Sequence, residues 1–280
     1  MKFGFVTCVE LGLSCMRAIY EVGGKLDLAI TLEDSQAVKK SGRVYLDDFC
    51  RESDIPLLKS RNINDVAVVE RIKASGIDWL FIIGWSQIAG DDVLDSPTRG
   101  TIGMHPTLLP QGRGRSAIPW AILKSLPKTG VTMFKLDKGV DTGLLIEQFE
   151  IPLDDSNDAE WLYQEVNQAH ADLMKRVYPK LLSGSLEMIH QDEGKASTWP
   201  GRTPADGAID LQGSVHDAAR LVRASTRPYP GAFYTNEDGL KIIIWKAAIS
   251  SKEPTLCHSC LCVLFKDGYL IASDWQVGDV

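Results

Sequence analysis

Trp79-Leu80-Phe81-Ile82-Ile83-Gly84 is an apolar run closed by a glycine. A run of this length with no polar alternation reads as a strand buried on both faces, the usual state of a strand in a parallel sheet covered by helices. The pattern extends outward from it in both directions. Residues 2–7 read as a first strand, followed by Leu11, Cys15, Ile19 and Val22 on one helical face; residues 26–31 and 55–58 give two more strands. Residues 42–49 lead into a helix, and residues 66–74 form the helix that feeds the quoted run. Beyond it, residues 116–125 read as a helix with Pro119 in the first turn, where a missing N–H costs nothing. Residues 131–136 and 144–152 read as strands. A long helix then carries the stripe Leu162, Val166, Ala169, Leu173, Val177 and Leu181, capped by Asn157 or Asp158 with Glu160. Strand and helix in alternation predict an α/β fold built on a doubly wound, mostly parallel sheet.

The chemistry concentrates in Gly103-Met104-His105-Pro106-Thr107-Leu108-Leu109-Pro110, which runs into Gln111-Gly112-Arg113-Gly114-Arg115. His105 is expected where a strand gives way to a loop, at the edge where open α/β sheets place their sites. Pro106 and Pro110 stiffen that loop. A second loop, Asp137-Lys138-Gly139-Val140-Asp141-Thr142-Gly143, follows the strand at 131–136. If the two strands are neighbours, Asp141 reaches His105 and orients it as a base.

These motifs resemble the formyltransferases that use 10-formyltetrahydrofolate, a group that includes methionyl-tRNA formyltransferase and the nucleotide-sugar N-formyltransferases. The resemblance rests on H-P-[ST]-L-L-P, then R-G, then a strand running into V-D-x-G, in the right order. It implies His105 and Asp141 as catalytic residues. The family's catalytic Asn falls on Gly103, which has no side chain; a backbone N–H, protonated His105 or a polar group of the Ser86-Gln87 loop is expected to take over its role. The resemblance also implies that main-chain groups of Trp85, Ser86, Gln87 and Ile88, and of Leu136, Asp137, Gly139 and Val140, grip the pterin ring of the folate. For Trp85 a ring packed under the loop is an equal alternative. Gly103, Arg113, Gly114, Arg115 and Arg202 are the candidate contacts to the acceptor substrate, since arginine suits bidentate contact with phosphate.

The last part of the chain changes character. Residues 191–204 are polar and rich in turn formers. A short helix at 215–224 then follows Ser214, with Asp217 as capping-box partner, and strands are expected at 232–234, 241–248, 260–265 and 269–272. Gly201-Arg202-Thr203-Pro204 and Arg227-Pro228-Tyr229-Pro230-Gly231-Ala232-Phe233 resemble the family's C-terminal region, which implies an OB-like second domain. The expected organisation is a catalytic domain at 1–190, a linker at 191–204 and a small β-rich domain at 205–280.

Composition narrows the field. The 280 residues are 44% hydrophobic and 24% charged, with net charge −7 and no run approaching a membrane span. Residues 201–280 carry eight Lys/Arg against nine Asp/Glu, so neither the whole chain nor this part has the basic footprint of a nucleic-acid binder. The loop after the first strand lacks both G-x-G-x-x-G and the P-loop pattern. The first residues read as a strand rather than a signal peptide, so a cytoplasmic protein is expected. Cys257, His258, Cys260 and Cys262 suggest metal ligands, but no second pair completes a tetrahedral set; reduced, buried thiols and no metal are expected. His170, His190 and His216 read as surface residues.

The expected reaction is therefore formyl transfer from 10-formyltetrahydrofolate to the primary amine of a nucleotide-linked amino sugar. The acidic chain fits a small substrate better than tRNA. Methionyl-tRNA formyltransferase is the runner-up, and a folate- or nucleotide-binding module without catalysis is the third reading. No membrane partner is expected, and the resemblance implies a homodimer.

Overall fold

The computed structural model describes residues 1–37, 42–252 and 260–278. Its two compact units do not divide simply along the chain: one comprises residues 1–114, 129–151 and 165–198, the other residues 115–128, 152–164 and 199–280.

In the first unit, β1 (Phe3–Val6) is entirely buried and lies third in a seven-stranded sheet. It pairs in parallel with β2 (Leu28–Leu32) on one side and with β4 (Trp79–Ile82) on the other. β3 (Leu57–Ser60) extends the sheet beyond β2, and β5 (Gly100–His105) extends it beyond β4, both parallel. The Lys128–Lys135 strand pairs antiparallel with β5, and the Leu145–Pro152 strand closes the order. The mostly parallel, doubly wound sheet expected from the alternation is thus the fold observed. Strand order reverses between β1 and β4, and at such switch points open α/β sheets leave a crevice outside the carboxyl ends of their strands.

Each parallel crossover needs an apolar helix face. α1 (Glu10–Glu21) buries Leu13, Cys15, Met16 and Ile19, and the Val66–Ser75 helix buries Val68, Val69 and Ile72. The long helix, Ala159–Ser183, is capped by Asp158, whose carboxylate accepts from Trp161 N at 2.9 Å. It also corrects one expectation. His170 lies four residues after Val166 and four before Met174, which puts it on the apolar stripe rather than at the surface, and only 2% of it is exposed. Its Nδ1–H donates to the Val166 carbonyl at 2.7 Å.

In the second unit, four antiparallel strands lie in the order Ala232–Thr235, Lys241–Ser250, Gly268–Gly278, Leu261–Phe265. One face carries Ile242, Ile244, Leu270 and Ala272, which pack with Val215, Ala218 and Val222 of the Val215–Ser225 helix. The cap of that helix differs from the expected box. Ser214 Oγ accepts from His216 N, while Asp267 rather than Asp217 supplies the carboxylate, reaching Val215 N at 2.9 Å and Ser214 Oγ at 2.6 Å. Asp217 instead pairs with Arg220. The expectation of buried, reduced thiols also fails: Cys260 is disulfide-bonded and Cys262 is exposed. Cys257 and His258 lie outside the described residues. Among the described residues no three His, Cys, Asp or Glu side chains gather as a metal requires, and no helix is long and apolar enough to cross a membrane.

Burial pushes the His170 pKa down to about 4, an effect opposed by its hydrogen bond to Val166 and reinforced by His105. The unfolded chain holds that proton near pH 6.5, so the folded state is at its full advantage above about pH 6.5 and loses it as pH falls towards 4. The loss totals on the order of 3 kcal/mol. His170→Leu is expected to flatten this dependence, checked by urea midpoints at pH 7.5 and pH 5 for both proteins.

Candidate active site

β5 ends on His105, and the chain turns back through residues 106–112 to bring its own backbone against the ring. Nε2 of His105 lies 2.8 Å from the Gly112 carbonyl oxygen. A carbonyl only accepts, so Nε2 carries the hydrogen. Nδ1 is left facing Asp141, whose Oδ2 lies 3.6 Å away, an ion-pair distance longer than a hydrogen bond. Both side chains are largely buried. The group that fixes the ring is therefore the Gly112 carbonyl rather than Asp141.

Asp141 is anchored separately. Its Oδ2 accepts from the Gly114 backbone N–H at 2.8 Å. Its backbone has φ of 55°, a left-handed conformation that Asp tolerates better than most residues. Gly112 and Gly114 themselves sit at φ of 73° and 109°. This accounts for glycine at both positions, since the turns that aim one carbonyl at His105 and one N–H at Asp141 are conformations most side chains oppose.

Gly103 lies within β5, opposite Phe134 across the antiparallel pair. A Cβ on it would stand 2.7 Å from Leu136 Cδ2 and 3.2 Å from Leu136 Cγ. The space a residue-103 side chain would use is thus filled by Leu136, which packs with Leu109, Phe134 and Leu145.

Of the two loops expected to hold a flat ring, the one at residues 85–90 is braced from below. Asn64 donates to the Ile88 carbonyl and accepts from Gly90 N. The Gln87 side chain is directed into the same brace, to Ile63 N and the Arg61 carbonyl, so it is not the polar group that replaces the missing Asn. Trp85 packs against two apolar clusters, one that includes Val6, Leu28 and Ile63 and one of Cys8, Val9 and Leu32. Ile88 is 75% exposed. In the second loop, Asp137 accepts from Gly139 N and Thr142 Oγ1, and Val140 is 60% exposed. Lys138 pairs with Asp91.

The arginines separate. Arg113 is buried, and its guanidinium donates to Glu193 through Nη1 and Nη2 and to Gln191 through Nε and Nη2. The bond to Glu193, opposed by burial, raises its pKa above the ordinary arginine value. Its hydrogen-bonding capacity is taken up by Gln191 and Glu193, which corrects the expectation that it presents a fork to phosphate. Arg115 and Arg202 belong to the second unit. Arg115 is exposed. Arg202 lies over the Trp120 ring at 5.3 Å and donates to the Asp206 carbonyl, and burial lowers its pKa. Gln191, Glu193 and Ser197, all from the expected linker, also join the His105 and Asp141 loops, and nothing in their local pattern marks them.

A family model described as formyl transferase matches residues 31–178. The bifunctional polymyxin resistance protein ArnA of Wigglesworthia glossinidia brevipalpis is 30% identical over 243 residues, 86% of this chain and 36% of that protein, so the chain spans about a third of that relative. The structure of an N-formyltransferase from Helicobacter canadensis, in complex with folinic acid and dTDP-3-aminofucose, superposes with a TM-score of 0.73 at 15% identity, covering 99% of this chain and 100% of that one. Methionyl-tRNA formyltransferase from Clostridium thermocellum gives 0.66 at 16% identity, with both chains fully covered. At these identities the two structures attest the fold.

The contact between Gly103 and Leu136 can be tested directly. Gly103→Asn is expected to destabilise the protein by about 1–3 kcal/mol through overpacking against Leu136. Combined with Leu136→Ala it should cost clearly less than the sum of the two single changes, as read from urea unfolding of all four proteins. Simple additivity would mean that Leu136 is not the obstacle.

Proposed function

Because the chain belongs to the formyl transferase family, we propose that it transfers a formyl group from 10-formyltetrahydrofolate to the primary amine of a nucleotide-linked amino sugar. The observation that carries this reading is the pair of His105, at the carboxyl end of β5, and Asp141, on the loop after the Lys128–Lys135 strand, within the matched region. The loops at 85–90 and 136–140 fit the folate. The first is braced by Asn64 and the second by Asp137, and each leaves a large apolar residue, Ile88 or Val140, open to solvent where a flat ring could cover it.

When bound, the folate supplies a formyl carbon already activated by its nitrogen. The residues of the chain manage the proton. With Nε2–H held on the Gly112 carbonyl, Nδ1 is the ring nitrogen able to take a proton from the incoming amine. The carboxylate of Asp141 at 3.6 Å stabilises the ring once it is positive. Gly114 N–H keeps that carboxylate in place. A nucleotide-linked sugar as acceptor is supported by the net charge of −7, which disfavours a polyanion. It is also supported by the Helicobacter canadensis neighbour, whose structure holds dTDP-3-aminofucose.

The test is formyl transfer from 10-formyltetrahydrofolate to a panel of UDP- and dTDP-linked amino sugars, with initiator methionyl-tRNA alongside. Turnover of a sugar is expected, and His105→Asn should lower kcat on the order of 10²–10⁴-fold, the usual contribution of a positioned acid or base. Turnover of the tRNA alone would move the assignment to the second substrate class. Tight folate binding without any turnover would make the chain a binding module.

A further inference from the structure

Residues 191–197 behave as a strap across the site rather than a linker. At one end, Ser197 makes three contacts to the His105 loop: its Oγ accepts from Gly112 N at 3.0 Å, its N–H donates to the Pro110 carbonyl at 3.2 Å, and its carbonyl accepts from Arg113 N at 2.9 Å. These contacts fix the peptide whose carbonyl holds His105. At the other end, the Gln191 amide donates to the carbonyls of Asp141 and Gly143, each at 2.8 Å. Its own oxygen accepts from Arg113 Nη2 at 2.7 Å and Nε at 3.2 Å, and Arg113 is in turn forked onto Glu193.

The chemistry of each group sets the next. Arginine only donates, so the Gln191 oxygen must face it and the NH₂ must face the two carbonyls. Those carbonyls flank the one turn in which Asp141 holds its left-handed backbone, a conformation that persists only where the surroundings enforce it. We propose that Gln191 is a positioning residue for Asp141, and that the strap from Gln191 to Ser197 sets where the Asp141 carboxylate stands relative to His105 Nδ1. Its kinetic consequence rests on the formyl transfer reading; its structural consequence does not.

The test uses the full chain. Gln191→Met keeps the length and removes the amide. It is expected to lower kcat on the order of 10²-fold while KM for the folate stays within about 2-fold, because a displacement near 1 Å affects chemistry more than binding. In an Asp141→Asn background the same change should cost less than about 2-fold, since the residue acts through Asp141. A second measurement is independent of turnover: with labelled histidine, the His105 ring resonances should move in Gln191→Met while those of His216, remote in sequence and exposed, do not. Should Gln191→Met fail to fold, Gln191→Glu makes the same test, because it keeps a partner for Arg113 and turns an acceptor towards both carbonyls. An unmoved His105 resonance, a raised KM at unchanged kcat, or an equal loss in the Asp141→Asn background would overturn the proposal. If the wild type transfers no formyl group, the functional reading fails and the resonances alone decide the strap.

Discussion

A buried imidazole has two nitrogens, and here one is committed to the backbone. The 2.8 Å contact between His105 Nε2 and the Gly112 carbonyl fixes the tautomer and the ring plane together. It leaves Nδ1 as the single reactive position, and it makes the geometry of residues 110–114 a condition of any chemistry at His105. A carbonyl suits this task better than a carboxylate would, because it holds the ring by direction without adding charge at Nε2. The charged partner is thereby kept for the nitrogen that changes its proton.

The fold explains why these groups meet. A strict parallel sheet would have sent the chain after β5 through another long crossover. The Lys128–Lys135 strand instead returns antiparallel, so that Thr132 stands opposite His105 and the loop that follows the strand folds back to deliver Asp141. Thr132 is part of the support: its hydroxyl donates to the Thr107 carbonyl and accepts from Leu109 N and Gln148 Nε2. The loop after β5 is therefore held by the neighbouring strands from one side and by Ser197 from the other. Rigid elements supply the placement, and the loops need only carry the functional groups.

Much of this was legible in the sequence where one physical signal dominated. The apolar run at 79–84 gave β4, and period-3.6 stripes gave the long helices. β5 was harder, since Gly100 and Gly103 interrupt its pattern. Its place could be inferred only from the loop that follows. His105 and Asp141 could be paired because each lies on a turn-rich loop at a strand end. What could not be read was which groups hold them. Gln191 and Ser197 act on residues 48 or more positions away through contacts made by tertiary folding, and a polar, turn-rich stretch looks the same whether it is solvated or laced across a site. Arg113 misled for a related reason: its neighbours in sequence said nothing of Glu193, whose carboxylate takes the fork. His170 was recoverable, since its spacing from Val166 and Met174 puts it on the buried stripe.

Gly103 is where sequence and structure inform each other most. Read alone, a glycine in place of a polar side chain suggests a lost function. The structure makes it half of a pair, because Leu136 occupies the volume a longer side chain would need. A longer residue there would have to displace a leucine packed with Leu109, Phe134 and Leu145. The glycine is therefore consistent with its surroundings, and the stabilisation that a residue-103 side chain would supply must come from groups already fixed nearby. The His105 ring, with one nitrogen held by Gly112 and the other beside Asp141, is the group so placed that its charge and its position are both set by the fold.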